Sequence, residues 1–142
     1  NLGAIIRTAE CFGVDAIILP KNNSANINNA IVAKVSSGAI NNLAIITVNN
    51  LAQAMEELKD HGFWIAGTGL AKDAINLFEF KFDGKLAWVM GNEGSGMRRL
   101  VQEHCDYVVT IPLLGNTQSL NVAVATGIVL AYANFMQIKA HS

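Results

Sequence analysis

The amino-acid sequence predicts an α/β fold, a parallel sheet with helices on both faces. Three observations carry that prediction. Five short segments are apolar and rich in β-branched or aromatic residues, as strands buried on both sides are. Segments with helical periodicity lie between them, and strands alternating with helices are the pattern of layered parallel-sheet folds. Hydrophobic residues make up 51% of the 142 and charged residues 15%, with mean hydropathy +0.32. That excess suits a doubly covered sheet or a subunit interface.

The elements follow in chain order. Residues 1–13 (NLGAIIRTAECFG) put Leu2, Ile5, Ile6, Ala9 and Phe12 on one helical face, and Gly13 ends the helix as a glycine able to turn left-handed. Residues 14–20 (VDAIILP) read as a strand. Residues 22–42 are rich in Asn and Ser; they read as a loop, then a helix around 31–35, with SSGA at 36–39 turning the chain. Residues 43–48 (LAIITV) are the second strand. In 50–62, Leu51, Met55 and Leu58 fall in phase, Asn50 is placed as an N-cap and Gly62 as the stop. Residues 63–67 (FWIAG), 86–91 (LAWVMG) and 107–114 (YVVTIPLL) are three further strands. Residues 94–106 read as a helix, and residues 121–139 as a long last one. Without linker, repeat or low-complexity stretch, residues 1–142 read as one domain.

Composition narrows the chemistry. The net charge of −1 offers no global basic field for nucleic acid. His61, His104 and His141 lack metal-ligand spacing, so no metal is expected. Cys11 and Cys105 are too few for a disulfide framework and read as small buried hydrophobes, which fits a reducing, cytoplasmic setting. No window holds ~18 uninterrupted apolar residues, and residues 122–135 are cut by Thr126, Gly127 and Asn134, so no membrane span is expected. No basic, Ser-rich or apolar leader is legible.

In open parallel sheets, ligands sit beyond the carboxyl ends of the strands. Three predicted strands end in polar, glycine-bearing loops: GTGLAKD at 67–73, GNEGSG at 91–96 and GNTQSLN at 115–121. The first begins like a dinucleotide fingerprint but carries Lys72 where the third glycine belongs. The second follows a strand and opens a predicted helix, a setting for an anion; it lacks the Lys-Ser/Thr of a phosphate-binding loop. Each has a plainer reading as a tight turn. Glu93 alone is a solvated or capping carboxylate. Arg7 reads as a boundary residue lying along the core, Arg98 and Arg99 as a solvated face or a phosphate contact, Ser119 and Asn121 as caps of the last helix. No nucleophile elbow is present.

Taken together, residues 1–13, 88–106 (WVMGNEGSGMRRLVQEHCD) and 111–133 (IPLLGNTQSLNVAVATGIVLAYA) resemble the three signature motifs of the SpoU (TrmH) family, in order and spacing and over nearly the whole chain. The Ser-Leu-Asn-Val of the third is the most specific. Within the family, KVSSGAI at 34–40 and the wording of the second motif look most like the members that methylate a guanosine of 23S rRNA.

The resemblance implies a SPOUT α/β knot with a deep C-terminal trefoil, and an RNA ribose 2′-O-methyltransferase that uses S-adenosyl-L-methionine and acts in rRNA processing. It places cofactor contacts on Gly91, Ile111 and Leu120, with Gly67 and Thr68 close by. It places the active site on Asn1, Arg7, Glu93, Ser119 and Asn121. It implies a homodimer, packed through the last helix, with the site at the interface. Family members carry an Asn-Pro and a strand just before the position of Asn1, and full-length relatives carry an N-terminal RNA-binding domain; the chain reads as the catalytic domain without them. A tRNA substrate within the same family, a non-catalytic nucleotide- or RNA-binding module, and a dehydrogenase-like domain are the alternatives. The broken glycine fingerprint argues against the last; the joint presence of Arg7, Glu93, Ser119 and Asn121 argues against a module without activity.

Overall fold

The structure, a computed structural model, describes residues 1–21, 43–91, 96–117 and 119–141. The helix predicted around 31–35 and the turn at 36–39 lie outside the described residues. In order, the elements are α1 (Leu2–Cys11), β1 (Ala16–Pro20), β2 (Ala44–Val48), α2 (Leu51–Asp60), β3 (Trp64–Thr68), β4 (Ile75–Asn76), a 3₁₀ turn (Leu77–Glu79), β5 (Leu86–Val89), α3 (Arg99–Glu103), β6 (Tyr107–Thr110) and α4 (Val122–His141).

The local signals explain the boundaries. α1 buries Gly3, Ile6 and Ala9 and stops where Gly13 takes φ +70°, with Phe12 N–H donating to the Thr8 carbonyl and Val14 N–H to that of Ala9. The Asn50 side chain accepts from Gln53 N–H at 3.1 Å and starts α2; Gly62, at φ +88°, follows its end. Asn121 Oδ1 accepts from Ala123 N–H at 2.9 Å and from Val124 N–H at 3.3 Å, which caps α4.

Every strand pair among the described residues is parallel, in two sheets: β1 with β2, and four strands in the order β4-β6-β3-β5. A single sheet was the expectation. β6, last in sequence, lies between β3 and β4. Thr68 of β3 and Ile75 of β4 both pair with Val109 of β6, from opposite sides. Residues 69–74 therefore carry the chain around β6, and Gly69 N–H donates to the Val109 carbonyl at 3.0 Å on the way. Asp106 ties β6 to β3: its N–H donates to the Ile65 carbonyl and its Oδ2 accepts from Ile65 N–H, both at 2.8 Å.

Two apolar clusters form the core. Ala66, Leu77, Phe80, Val109 and Val129 are buried together, with Ile111, Ile128 and Tyr132 packed against them. Ile6, Ala9 and Leu43 form the second, joined by Ile17, Ile45 and Leu130. α4 thus touches both. Side chains such as Ile65 and Val129, at 0% exposure, each stabilise the fold by about 1.5–3 kcal/mol relative to exposure. The Tyr132 hydroxyl bonds the Phe78 and Phe80 carbonyls at 3.1 and 3.2 Å, holding α4 to the 3₁₀ turn.

Several expectations are corrected. The strand expected over 107–114 ends at Thr110, two residues before Pro112, which has no N–H for a ladder. The helix expected over 94–106 is only Arg99–Glu103; Gly96 at φ +70° is left-handed, which a helix cannot include. Among the described residues, 96–98 precede α3 and are not helical, so the helix starts after the glycine run. Cys11 is exposed, not buried: with Ala4 and Arg7 it forms the outer face of α1. α4 is also long and apolar enough to cross a membrane by length and composition, with Thr126, Gly127 and Asn134 interrupting its apolar run as read from the sequence. Its 18-residue stretch Val122–Lys139 has hydropathy 1.3, and 11% of it is buried.

Candidate active site

The strand order puts three strand ends side by side. β6, β3 and β5 are neighbours and parallel, so their carboxyl ends at Thr110, Thr68 and Val89 share one edge. There Thr68 Oγ1 donates to the Val89 carbonyl at 3.4 Å and lies 3.9 Å from Met90 Sδ. Gly91 N–H donates to Thr68 Oγ1 at 3.5 Å. Thr68, at the end of β3, and Gly91, just after β5, are thus in contact. Ile111 continues from β6, half-buried against the larger core cluster, and Leu120 is half-buried just before α4.

Two of these positions have no room for a side chain. A Cβ on Gly67 would stand 2.7 Å from both Cys105 Sγ and Met97 Sδ. A Cβ on Gly91 would stand 2.9 Å from the Gly96 carbonyl carbon and 3.0 Å from Met97 N. Met97 and Cys105 fill the space a side chain would take at Gly67, which is buried within β3, and Gly96 and Met97 fill it at Gly91.

A second cluster joins the two ends of the chain. Asn121 Nδ2 donates to Asn1 Oδ1 at 3.2 Å, while the same Asn121 caps α4. α1 and α4 pack together to make this possible, with a Cβ on Gly127 only 3.9 Å from Thr8 Cγ2. Arg7 stands on the exposed face of α1, roughly 9 Å along its axis from Asn1. That position is not the core boundary that its sequence neighbours suggested. Ser119 is exposed, two residues from Asn121. Glu93 lies outside the described residues. Arg99 is exposed, with Nε 3.1 Å from Glu103 Oε1.

Met97 and Cys105 were not foreseen as parts of this region. Cys105 Sγ lies 3.9 Å from Met97 Sδ and 3.5 Å from the Val101 carbonyl, and burial pushes its thiol up to about 11. Nothing in the residues around Met97 marks it; its role appears only once Gly67, Gly69 and Gly91 are brought onto it by the fold. The two sulfurs also form one wall of an open cavity of about 560 Å³, whose rim carries Asp73, Arg99, Glu103 and Asp106. The cavity includes none of Thr68, Gly91, Ile111 and Leu120. Its charged rim, rich in carboxylates, is a different surface from that edge.

Comparison with known proteins agrees with this geometry. The family model described as the SpoU rRNA Methylase family matches residues 1–131. The chain is 50% identical over 131 residues to the 23S rRNA (guanosine-2′-O-)-methyltransferase RlmB of Neisseria meningitidis, covering 92% of this chain and 52% of that protein. It spans about half the length of the curated relatives it matches. Among solved structures, the TrmH/SpoU tRNA modifying enzyme of A. aeolicus superposes with TM-score 0.87 at 33% identity, over 98% of this chain and 70% of that one. The SpoU methyltransferase AviRb of Streptomyces viridochromogenes, in complex with AdoMet, gives TM-score 0.87 at 26% identity, over 97% and 56%. With the family model matched over residues 1–131, its motifs at both chain ends joined through Asn1 and Asn121 and three strand ends on one sheet edge, the chain belongs to the SpoU rRNA methylase family.

Proposed function

We propose that this chain is the S-adenosylmethionine-binding, catalytic part of an RNA ribose 2′-O-methyltransferase acting on a guanosine of 23S rRNA. The observation that carries the reading is the contact of Thr68 with Gly91 at an edge shared by three strand ends. AviRb, related in fold and family, is described with AdoMet. The residues fit the cofactor: Thr68 and Gly91, both partly exposed, bring polar groups to the edge, with Gly67 packed behind them, while Ile111 and Leu120 offer half-buried apolar sides for a flat base. When bound, the cofactor supplies an electrophilic methyl group.

The protein's own part is placement and electrostatics. A ribose 2′-hydroxyl is a poor nucleophile while protonated, so its proton must pass to solvent water as the new bond forms. A guanidinium stays charged at all working pH values. Arg7 therefore acts by stabilising the developing alkoxide, or by gripping the neighbouring phosphate. Asn1 and Asn121, bonded to each other, hold the ribose with Ser119; Glu93 orients Asn1 or Arg7.

The same reading extends to the whole molecule. The course of residues 69–74 around β6 supports a trefoil knot, with helices on both faces of the sheet, in a single domain spanning 1–142. The exposed apolar residues of α4 support a homodimer whose interface borders the site. Neither a metal nor a membrane is part of the reading, and the compartment is the cytoplasm. A tRNA substrate is the second reading, favoured by the A. aeolicus neighbour, which is described as a tRNA modifying enzyme.

The test is methyl transfer to 23S rRNA by the full-length protein carrying Arg7→Ala. Turnover falls about 10²–10³-fold, as when one transition-state electrostatic contact is lost, with cofactor affinity nearly unchanged. Arg7→Lys fails as well, because a point charge does not reproduce the planar fork. Near-normal methylation by Arg7→Ala would remove Arg7 from the mechanism, and no methylation by the unaltered protein of either rRNA or tRNA would remove the function itself.

A further inference from the structure

The glycines at the carboxyl edge of the sheet share one neighbour. A Cβ on Gly67 would meet Met97 Sδ at 2.7 Å and Met97 Cε at 2.8 Å; one on Gly69 would meet Met97 Cε at 3.6 Å. On the other loop, a Cβ on Gly91 would meet Met97 N at 3.0 Å. Met97, itself between β5 and α3, therefore packs its side chain against Gly67 near the end of β3 and Gly69 just beyond it, and its backbone against Gly91. Cys105 Sγ, 3.9 Å from Met97 Sδ, closes the packing from behind.

We propose that Met97 is a positioning residue for the cofactor: it sets the spacing between the 67–69 loop and the Gly91 loop, so that both meet one ligand together. The inference rests on the reading of those loops as the S-adenosylmethionine site. The physical argument is rigidity. The β3–β5 ladder ends at Gly67 and Val89, and beyond it the bonds through Thr68 are long, at 3.4 and 3.5 Å, and hold the two segments weakly. Contact between a thioether and bare glycine backbone fixes their distance instead, because close packing resists displacement in either direction. A methionine is suited to this gap because its unbranched, polarisable side chain fills irregular space. Shortening it leaves the loops unsupported, and the ordering they lack must then be supplied on binding.

The experiment is calorimetry of S-adenosylhomocysteine on the full-length protein, paired with steady-state kinetics. Met97→Ala weakens binding by about tenfold, and raises KM for S-adenosylmethionine while kcat at saturating cofactor changes little. Met97→Leu, which refills the space, restores affinity to within about twofold. A purely structural Met97 would lower the melting temperature and the folded fraction, with the affinity of the folded protein unchanged; that result overturns the inference and leaves the cofactor site standing. If the unaltered protein does not bind, the cofactor reading fails and this inference with it. If Met97→Ala does not fold, hydrogen exchange on the unaltered protein decides: S-adenosylhomocysteine slows exchange at Gly69 and Met97 together, and protection of one loop alone overturns the proposal.

Discussion

His104 holds two partners with one ring. Nδ1 lies 2.8 Å from the Leu100 carbonyl and so must carry a proton, and Nε2 lies 3.1 Å from Glu56 Oε1. With Nδ1–H committed, Nε2 can donate to the carboxylate only in the imidazolium form. The bond to the Leu100 carbonyl, then that to Glu56, raises its pKa above the ordinary 6.5. A raised folded pKa means that this stabilisation is complete below about 6.5 and is lost as pH climbs through the folded value. Thermal unfolding between pH 6 and pH 9 therefore shows a larger loss of Tm for the unaltered protein than for Glu56→Gln. The difference is small, because Glu56 is exposed. Equal pH dependence of the two proteins contradicts the assignment.

Single residues differ in how much of their structural role the sequence discloses. Asn50, Gly13 and Asn121 act through their immediate neighbours, and their caps and turn are as read from the sequence. Cys11 and Arg7 were misplaced because one apolar stripe fixes only one side of a helix. Met97 was invisible, since Gly67 and Gly69, which it packs against, lie some 30 residues up the chain.

At the scale of the element, α4 carries more apolar surface than the chain covers. Val129 is fully buried and Ile128 and Tyr132 pack beside it, whereas Val124, Phe135 and Ile138 are 52%, 57% and 62% exposed. Residues 124, 131, 135 and 138 recur at helical spacing and form one outer stripe. A membrane would accept such a stripe, but so would its counterpart on a second copy, and the buried inner face is that of a core helix. Phe135→Asp combined with Ile138→Asp converts a dimer to a monomer at micromolar concentration by light scattering, since each anchor at an interface centre contributes about 2 kcal/mol or more. A monomeric unaltered protein, or a dimer indifferent to both charges, contradicts the assignment. Length was the least legible property of the elements: the left-handed Gly96 shortened α3, and the two-residue β4 falls below any periodic signal.

For the whole molecule, the alternation of strands and helices gave the class but not the order β4-β6-β3-β5. Strand order depends on long-range pairing, and a last strand entering between two earlier ones runs against the usual rule that chains avoid threading. That order is what places the three strand ends on one edge, and the central claim is that this edge holds the cofactor. The most direct test is a crystal structure of the protein with S-adenosylmethionine or S-adenosylhomocysteine. The account predicts the ligand over Gly91, Ile111 and Leu120, beside Gly67 and Thr68. Ligand density in the carboxylate-rimmed cavity by Asp73 and Glu103 instead, or none at millimolar concentration, would contradict it.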